Sequence, residues 1–244
     1  GLGGGSATNV IDKFNVETTG NATDFGDMTI TAYGRSAYSS KTRALFGGGY
    51  DQSANSFSNV IDYVNPSSAG NATDFGNLQR LTGYATPGGN STRALFMGGY
   101  QSTGSAQTVW YVTIASTGNA TSFGALSIAS RSQSHSACAS PTKSIQQGVG
   151  NSAANTTIEY FTTASVGNYT DFGDATRSRR QSCSFSSETR GVDCGGNASG
   201  SPENIMDYIT IASAGNATDF GDLSHGTVRN AAGVSSPIRG CICG

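Results

Sequence analysis

At 244 residues and a net charge of −2, the chain offers no bulk electrostatic attraction for nucleic acid or for an anionic membrane. Charged residues make up only 12%, where an average soluble domain carries roughly 25%. The chain holds 3 Lys and 4 Glu beside 34 Gly, so helices lack the straight-chain residues that favour them, and β-branched and aromatic runs stand between turn formers, as in an all-β chain. No apolar run approaches the roughly 18 residues of a membrane span, and no basic-then-apolar leader opens the chain. It starts without Met inside one repeat and stops inside another, and so reads as a piece of a longer protein.

The first element is Gly20-Asn21-Ala22-Thr23-Asp24-Phe25-Gly26-Asp27, and it recurs at 70–77, 118–125, 167–174 and 215–222. Its asparagines, Asn21, Asn71, Asn119, Asn168 and Asn216, are 50, 48, 49 and 48 residues apart, a period that signals a repeat architecture. Each Asn-x-Thr is formally a glycosylation acceptor. The reading preferred here is a turn, with Asn in the left-handed region and Asp or Thr tying the backbone.

One unit follows in order after the first such turn. A small-residue strand A (36–40) is matched by 134–139 and 182–186. A turn at 41–43 leads into strand B (44–46), which ends in Gly47-Gly48-Gly49, where glycine permits positive φ or close backbone approach. A polar loop (51–58) precedes strand C (59–64), and a further turn leads to a short strand D around Phe75 and Leu78. Strands B and C are nearly continuous apolar runs, which fits sheets covered on both faces. Four antiparallel strands in 48–50 residues is the unit of a β-propeller.

A run closing in Gly-Gly, a Val/Ile-Asp-Tyr strand and a late aromatic resemble the kelch repeat. Phe25, Phe75, Phe123, Phe172 and Phe220 stand where kelch units usually carry Trp. The phrases NVIDYV (59–64), IASAGNATDFGDL (211–223), SSPIRG (235–240) and FGGG (46–49) resemble the kelch-like repeats of structural and tail-fibre-like proteins of marine tailed bacteriophages. The expected fold is therefore all-β: one β-propeller domain over residues 1–244, with five kelch-like four-stranded blades. Its ring is expected to close by setting the C-terminal A and B strands (230–243) beside the N-terminal C and D strands (9–28), which removes exposed sheet edges. The surplus Gly1–Ser6 is then a loop or an edge, and no helix pattern follows it to make a phosphate cradle. Small-residue strands A belong at the crowded axis, with Leu45, Phe46, Ile61, Tyr63 and the five Phe filling the gaps between sheets.

A basic residue follows each strand A: Arg43, Arg93, Lys143, Arg190 and Arg239. Such a ring either binds anions or pairs with the repeated Asp24, Asp74, Asp171 and Asp219, and pairing is the reading preferred. The B–C and D–A loops vary most and form the expected partner-binding face, through Tyr33, Tyr50, Asp51, Tyr100, Gln101, Arg131, Arg179, Arg180, His225 and Arg229. Trp110 replaces Asp62 and Asp207 on strand C and reads as packing. Cys138, Cys183, Cys194, Cys241 and Cys243 match no zinc spacing and read as small buried thiols; the one plausible bridge is Cys183–Cys194, which face each other across a hairpin if residues 187–190 make a tight turn.

His135 and His225 lie in different units without a repeated Ser or Cys partner, so no catalytic residue, metal or cofactor is expected. The resemblance implies a non-enzymatic virion module for structure or adhesion, in the extracellular particle. Its partners would be other virion proteins or a host-surface glycan or receptor, with self-association allowed and neither nucleic acid nor membrane insertion involved. The alternative is a secreted glycan-binding propeller in which each unit offers one shallow polar site.

Overall fold

The structure, a computed structural model, describes residues 7–130, 137–148, 155–198, 200–224, 226–229 and 231–243. Every regular element in it is a strand, and the sheets are small and antiparallel. Four complete units carry the expected A-B-C-D order. The second repeat is Ser36–Ser39, Ala44–Gly47, Val60–Val64 and Thr73–Asn77; the third is Thr86–Gly89, Arg93–Met97, Gly104–Thr113 and Thr121–Ser130. The fourth is Ala137–Ala139, Lys143–Gln147, Asn155–Thr162 and Thr170–Arg179; the fifth is Cys183–Ser186, Arg190–Cys194, Ile205–Thr210 and Thr218–Asp222. Consecutive strands A touch one another along the series. Their hydroxyls stitch it together, with Ser36 donating to the Ala85 carbonyl, Ser186 to that of Ala139 and Ser235 to that of Ser186.

The core lies between sheets rather than within one. Leu45, Ile61 and Phe75 of the second unit pack with Phe96, Trp110 and Val112 of the third, and the later junctions repeat this arrangement. Trp110 is thus a core residue. Each junction is locked by the recurring Gly-Asn turn. The amides of Gly70 and Ala72 donate to the carbonyls of Phe25 and Asp27 of the preceding unit, and Gly118, Gly167 and Gly215 donate likewise to Phe75, Phe123 and Phe172. The asparagines are not left-handed: positive φ outside glycine occurs only at Asn55, Tyr84 and Gln181 among the described residues. Instead the Asn71, Asn119 and Asn216 carboxamide oxygens accept the amides of Asp27, Asn77 and Asp174, each at 3.0 Å. The turn is a clasp whose acceptor strand lies one unit away.

The clasp explains the Gly of Asp-Phe-Gly. Gly76 has φ +143°, and a Cβ there would collide with the Gly118 carbonyl of the next unit. Gly76→Ala is expected to cost about 2–4 kcal/mol, combining backbone strain with overpacking, read from the denaturation midpoint. A shift below about 0.5 kcal/mol would show that the junction is loose.

The sheet expected from the two chain ends is not formed; each end makes a separate hairpin. Among the described residues, Val10–Lys13 pairs only with Thr23–Asp27, and Ala232–Ser235 pairs only with Gly240–Cys243. Phe25, Phe75, Phe123 and Phe172 are buried, whereas Phe220 is 47% exposed. The reason is the same clasp: Gly221, unlike Gly173, has no Gly-Asn turn of a following unit against it. Cys183 and Cys194 do face each other in register, as buried free thiols; Cys138 is buried too, but Cys241 and Cys243 are exposed.

Candidate functional site

The glycines closing strand B share one geometry. Gly48 and Gly49 have φ +64° and +105°, Gly98 and Gly99 +64° and +102°, and Gly195 and Gly196 +63° and +101°. They swing the chain into the loop face, where short strands make accessory sheets beside the second and third units. Ala32–Tyr33, Tyr50–Asp51 and Ser56–Phe57 form one, with Tyr33 opposite Tyr50 and Tyr50 opposite Phe57. Thr82–Gly83 and Tyr100–Gln101 begin another, with Gly83 opposite Tyr100.

Register therefore lines the rings up. Tyr33 stacks on Tyr50 at 5.2 Å between centroids, Tyr50 meets Phe57 at 5.3 Å, and Phe57 meets Tyr100 at 5.3 Å. Tyr84 adjoins Tyr33 at 6.4 Å, completing a ladder of five rings that are all partly buried. Two glycines make the ladder continuous across the two sheets. A Cβ on Gly34 would strike the Tyr84 ring, and one on Gly83 would strike the Phe57 ring.

Tyr84 sits at φ +55°, the place in the repeat where the second unit has Gly34 at +66° and the fifth has Gln181 at +62°. A left-handed backbone costs a bulky residue roughly 1–2 kcal/mol that glycine avoids. At the rim, Asp51 accepts from the Ser53 hydroxyl at 2.6 Å and from the amides of Ser53 and Ala54. The Ser53 hydrogen bond, ahead of the other causes, holds its carboxyl below the ordinary value and so keeps it ionised. Asn55, at φ +50°, accepts from the Tyr50 hydroxyl at 2.9 Å.

Of the residues expected on this face, the structure brings together Tyr33, Tyr50 and Tyr100, with Asp51 beside them. Sequence reasoning did not single out the other two rings, Phe57 and the more telling Tyr84. The signal was its alignment with Gly34 of the preceding unit, which marks an aromatic where the backbone asks for glycine. Gln101 is buried rather than presented to a partner, because it points to the opposite face of the strand from Tyr100. Arg180 and Arg229 are exposed beside the fifth unit and the C-terminal hairpin respectively, not at the ladder. Arg131 and His225 lie outside the described residues, as does His135.

Arg179 is a correction. It is buried, 2.8 Å from Asp193 and 2.9 Å from Asp207, and serves the interior. The same place on strand C is occupied by Asp62, which Arg35 meets at 2.7 Å and to which the Thr29 hydroxyl donates. In the fourth unit it is the fully buried Glu159, whose carboxylate accepts from the Ser127 amide. Burial pushes the Glu159 carboxyl from 4.5 up to about 7. A carboxyl raised on folding stabilises the fold while neutral. Its contribution is full below about 4.5 and is lost as pH rises through about 7. The melting temperature is therefore expected to fall between pH 5 and pH 8, and Glu159→Gln to flatten that fall. An equal fall in the variant would assign it to another group.

The basic ring also has different partners from those expected. Arg43 donates to the Ile114 carbonyl, Arg93 to that of Thr163, and Lys143 to those of Ile211 and Ala212, each in the next unit. Each cation, with Arg190, lies over the strand-C tyrosine of its own unit, 4.2–4.9 Å from the ring of Tyr63, Tyr111, Tyr160 or Tyr208. Arg239 is exposed. Asp24, Asp74 and Asp219 accept instead from the amides of Gly26, Gly76 and Gly221 two residues on, at 3.0 Å. Short carboxylates held to their own strand cannot reach the ring, and none of the ion pairs among the described residues joins the two sets.

Compared with known proteins, the chain is matched by no family model and by no curated protein.

Proposed function

We propose that this chain is a five-bladed β-propeller of kelch-like units, closed through both ends, that serves as a non-enzymatic structural or adhesion module on a phage particle. The observation that carries the reading is a division of labour. The repeated residues (the Gly-Asn turn, the Phe and the basic residue) are taken up by unit-to-unit junctions among the described residues, so repetition serves the scaffold. What varies between units is the loop face, where a regular scaffold acquires contacts. The resemblance of the repeated phrases to phage structural proteins supplies the setting.

Closure is supported by the match between the two ends. Gly221 lacks the turn that Gly20-Asn21-Ala22 would supply. The outer edge of Gly240–Cys243 lacks a strand C, and Val10–Lys13 lacks a strand B. A concavity lined by Lys13, Phe14, Asn15, Gly20 and Asn21 lies at this unfilled junction. Mass spectrometry of purified particles is expected to recover the chain, on the particle surface by antibody labelling. Recovery only from the soluble fraction of the host would overturn the reading.

A further inference from the structure

We propose that the ladder of Tyr84, Tyr33, Tyr50, Phe57 and Tyr100 is a saccharide platform for uncharged sugar rings, a single site at the second and third units rather than one site per unit. This rests on the reading of the chain as an adhesion module and gives that module its ligand class.

The chemistry of the ladder is mixed. Partly buried rings offer apolar faces and edges, four of the five carry a phenolic hydroxyl, and Asp51 and Asn55 add an acceptor-rich rim. A ligand that meets all of these presents C–H surface and hydroxyl groups together, which is the signature of a pyranose. Charge narrows the class. Asp51 is the one charged residue on the four short strands that carry Tyr33, Tyr50, Phe57 and Tyr100. Arg35, the nearby cation that acts on Asp51, is itself committed to Asp62. An ionised carboxylate at the rim therefore disfavours sulfated or sialylated chains.

The backbone is an independent observation. Of the three non-glycine residues at positive φ among the described residues, Tyr84 and Asn55 belong to this site. The neighbouring unit shows that glycine satisfies the same backbone position without strain. Holding an aromatic there, over a glycine that has given up its own side chain, is strain of the kind that collects at ligand sites. Tyr84 is only partly buried, so one side of its ring faces outward.

The test uses the whole chain on an array of neutral hexose and N-acetylhexosamine oligosaccharides with their sulfated and sialylated counterparts. Array hits are then titrated by tyrosine fluorescence. Neutral oligosaccharides are expected to bind at roughly micromolar to millimolar Kd. Tyr84→Gly, which relieves the backbone, is expected to keep or raise the melting temperature while weakening binding about tenfold. Tyr50→Ala supplies the second variant should Tyr84→Gly lose its fold. Absence of binding at about ten millimolar sugar, preference for the anionic chains, or binding unchanged in the folded variants would overturn the platform. A protein partner found on this face in place of a sugar would overturn it as well. Particle incorporation is measured separately, so a chain present on virions that binds no sugar sinks this inference alone.

Discussion

Phe75→Ala is expected to lower the stability by about 3–5 kcal/mol, the cost of deleting a buried aromatic and leaving a cavity. The ring is 2% exposed, meets Tyr63 edge-on at 5.8 Å and sits in the cluster that joins the second and third units. Phe220 makes the same contact with Tyr208, at 6.0 Å, but is 47% exposed. With the ends apart, Phe220→Ala should cost less than about 1 kcal/mol. In the closed ring the Gly20-Asn21 turn covers Phe220, and its cost rises to that of Phe75. Chemical denaturation of the two variants side by side is expected to give similar losses. A small loss at Phe220 beside a large one at Phe75 would show the ring to be open.

A covalent trap gives the second large effect. Lys13 pairs with Thr23 as Tyr63 pairs with Thr73, and Cys241 pairs with Val234 as Leu45 pairs with Tyr38. Because Leu45 and Tyr63 are directly opposite in a complete sheet, closure sets Cys241 opposite residue 13. Lys13→Cys in a Cys243→Ser background is therefore expected to form a disulfide with Cys241 on oxidation. Closing a loop of that length is worth up to about 5 kcal/mol by chain entropy. The check is mobility on a non-reducing gel, with melting curves taken with and without reductant. Thiols that stay free would reject closure, and covalent dimers would show that the ends meet between copies instead.

The parts of this fold that were legible in the sequence are those in which cause and effect lie within one unit. The period fixes the units, the small-residue runs mark strands A, and the apolar runs mark B and C; Phe25, Phe75, Phe123 and Phe172 are buried as expected. What escaped were interactions that reach into another unit. Arg43 finds its carbonyl 71 residues away, and Asn71 its amide 44 residues away, so a local reading offered Asp74 and a left-handed turn instead. Arg179 looked like a surface group because its loop varies, yet two carboxylates on strands B and C draw it inward. At the candidate site, Tyr33, Tyr50 and Tyr100 were visible as loop aromatics. Their alignment into one ladder depends on strand register and on Gly34 and Gly83.

The Gly-Asn clasp also bears on how such a chain can change over time. It joins main chain to main chain, and the side chains it needs are the same at each junction. Removing or duplicating one whole period would therefore bring together a clasp and an acceptor strand that already fit. Recombination between repeats would alter the number of units in a single step while leaving each new joint as well made as the old ones. Loops carried along with a unit would arrive in working orientation. Binding surfaces could then be shuffled among relatives like cassettes, without renegotiating the scaffold that holds them.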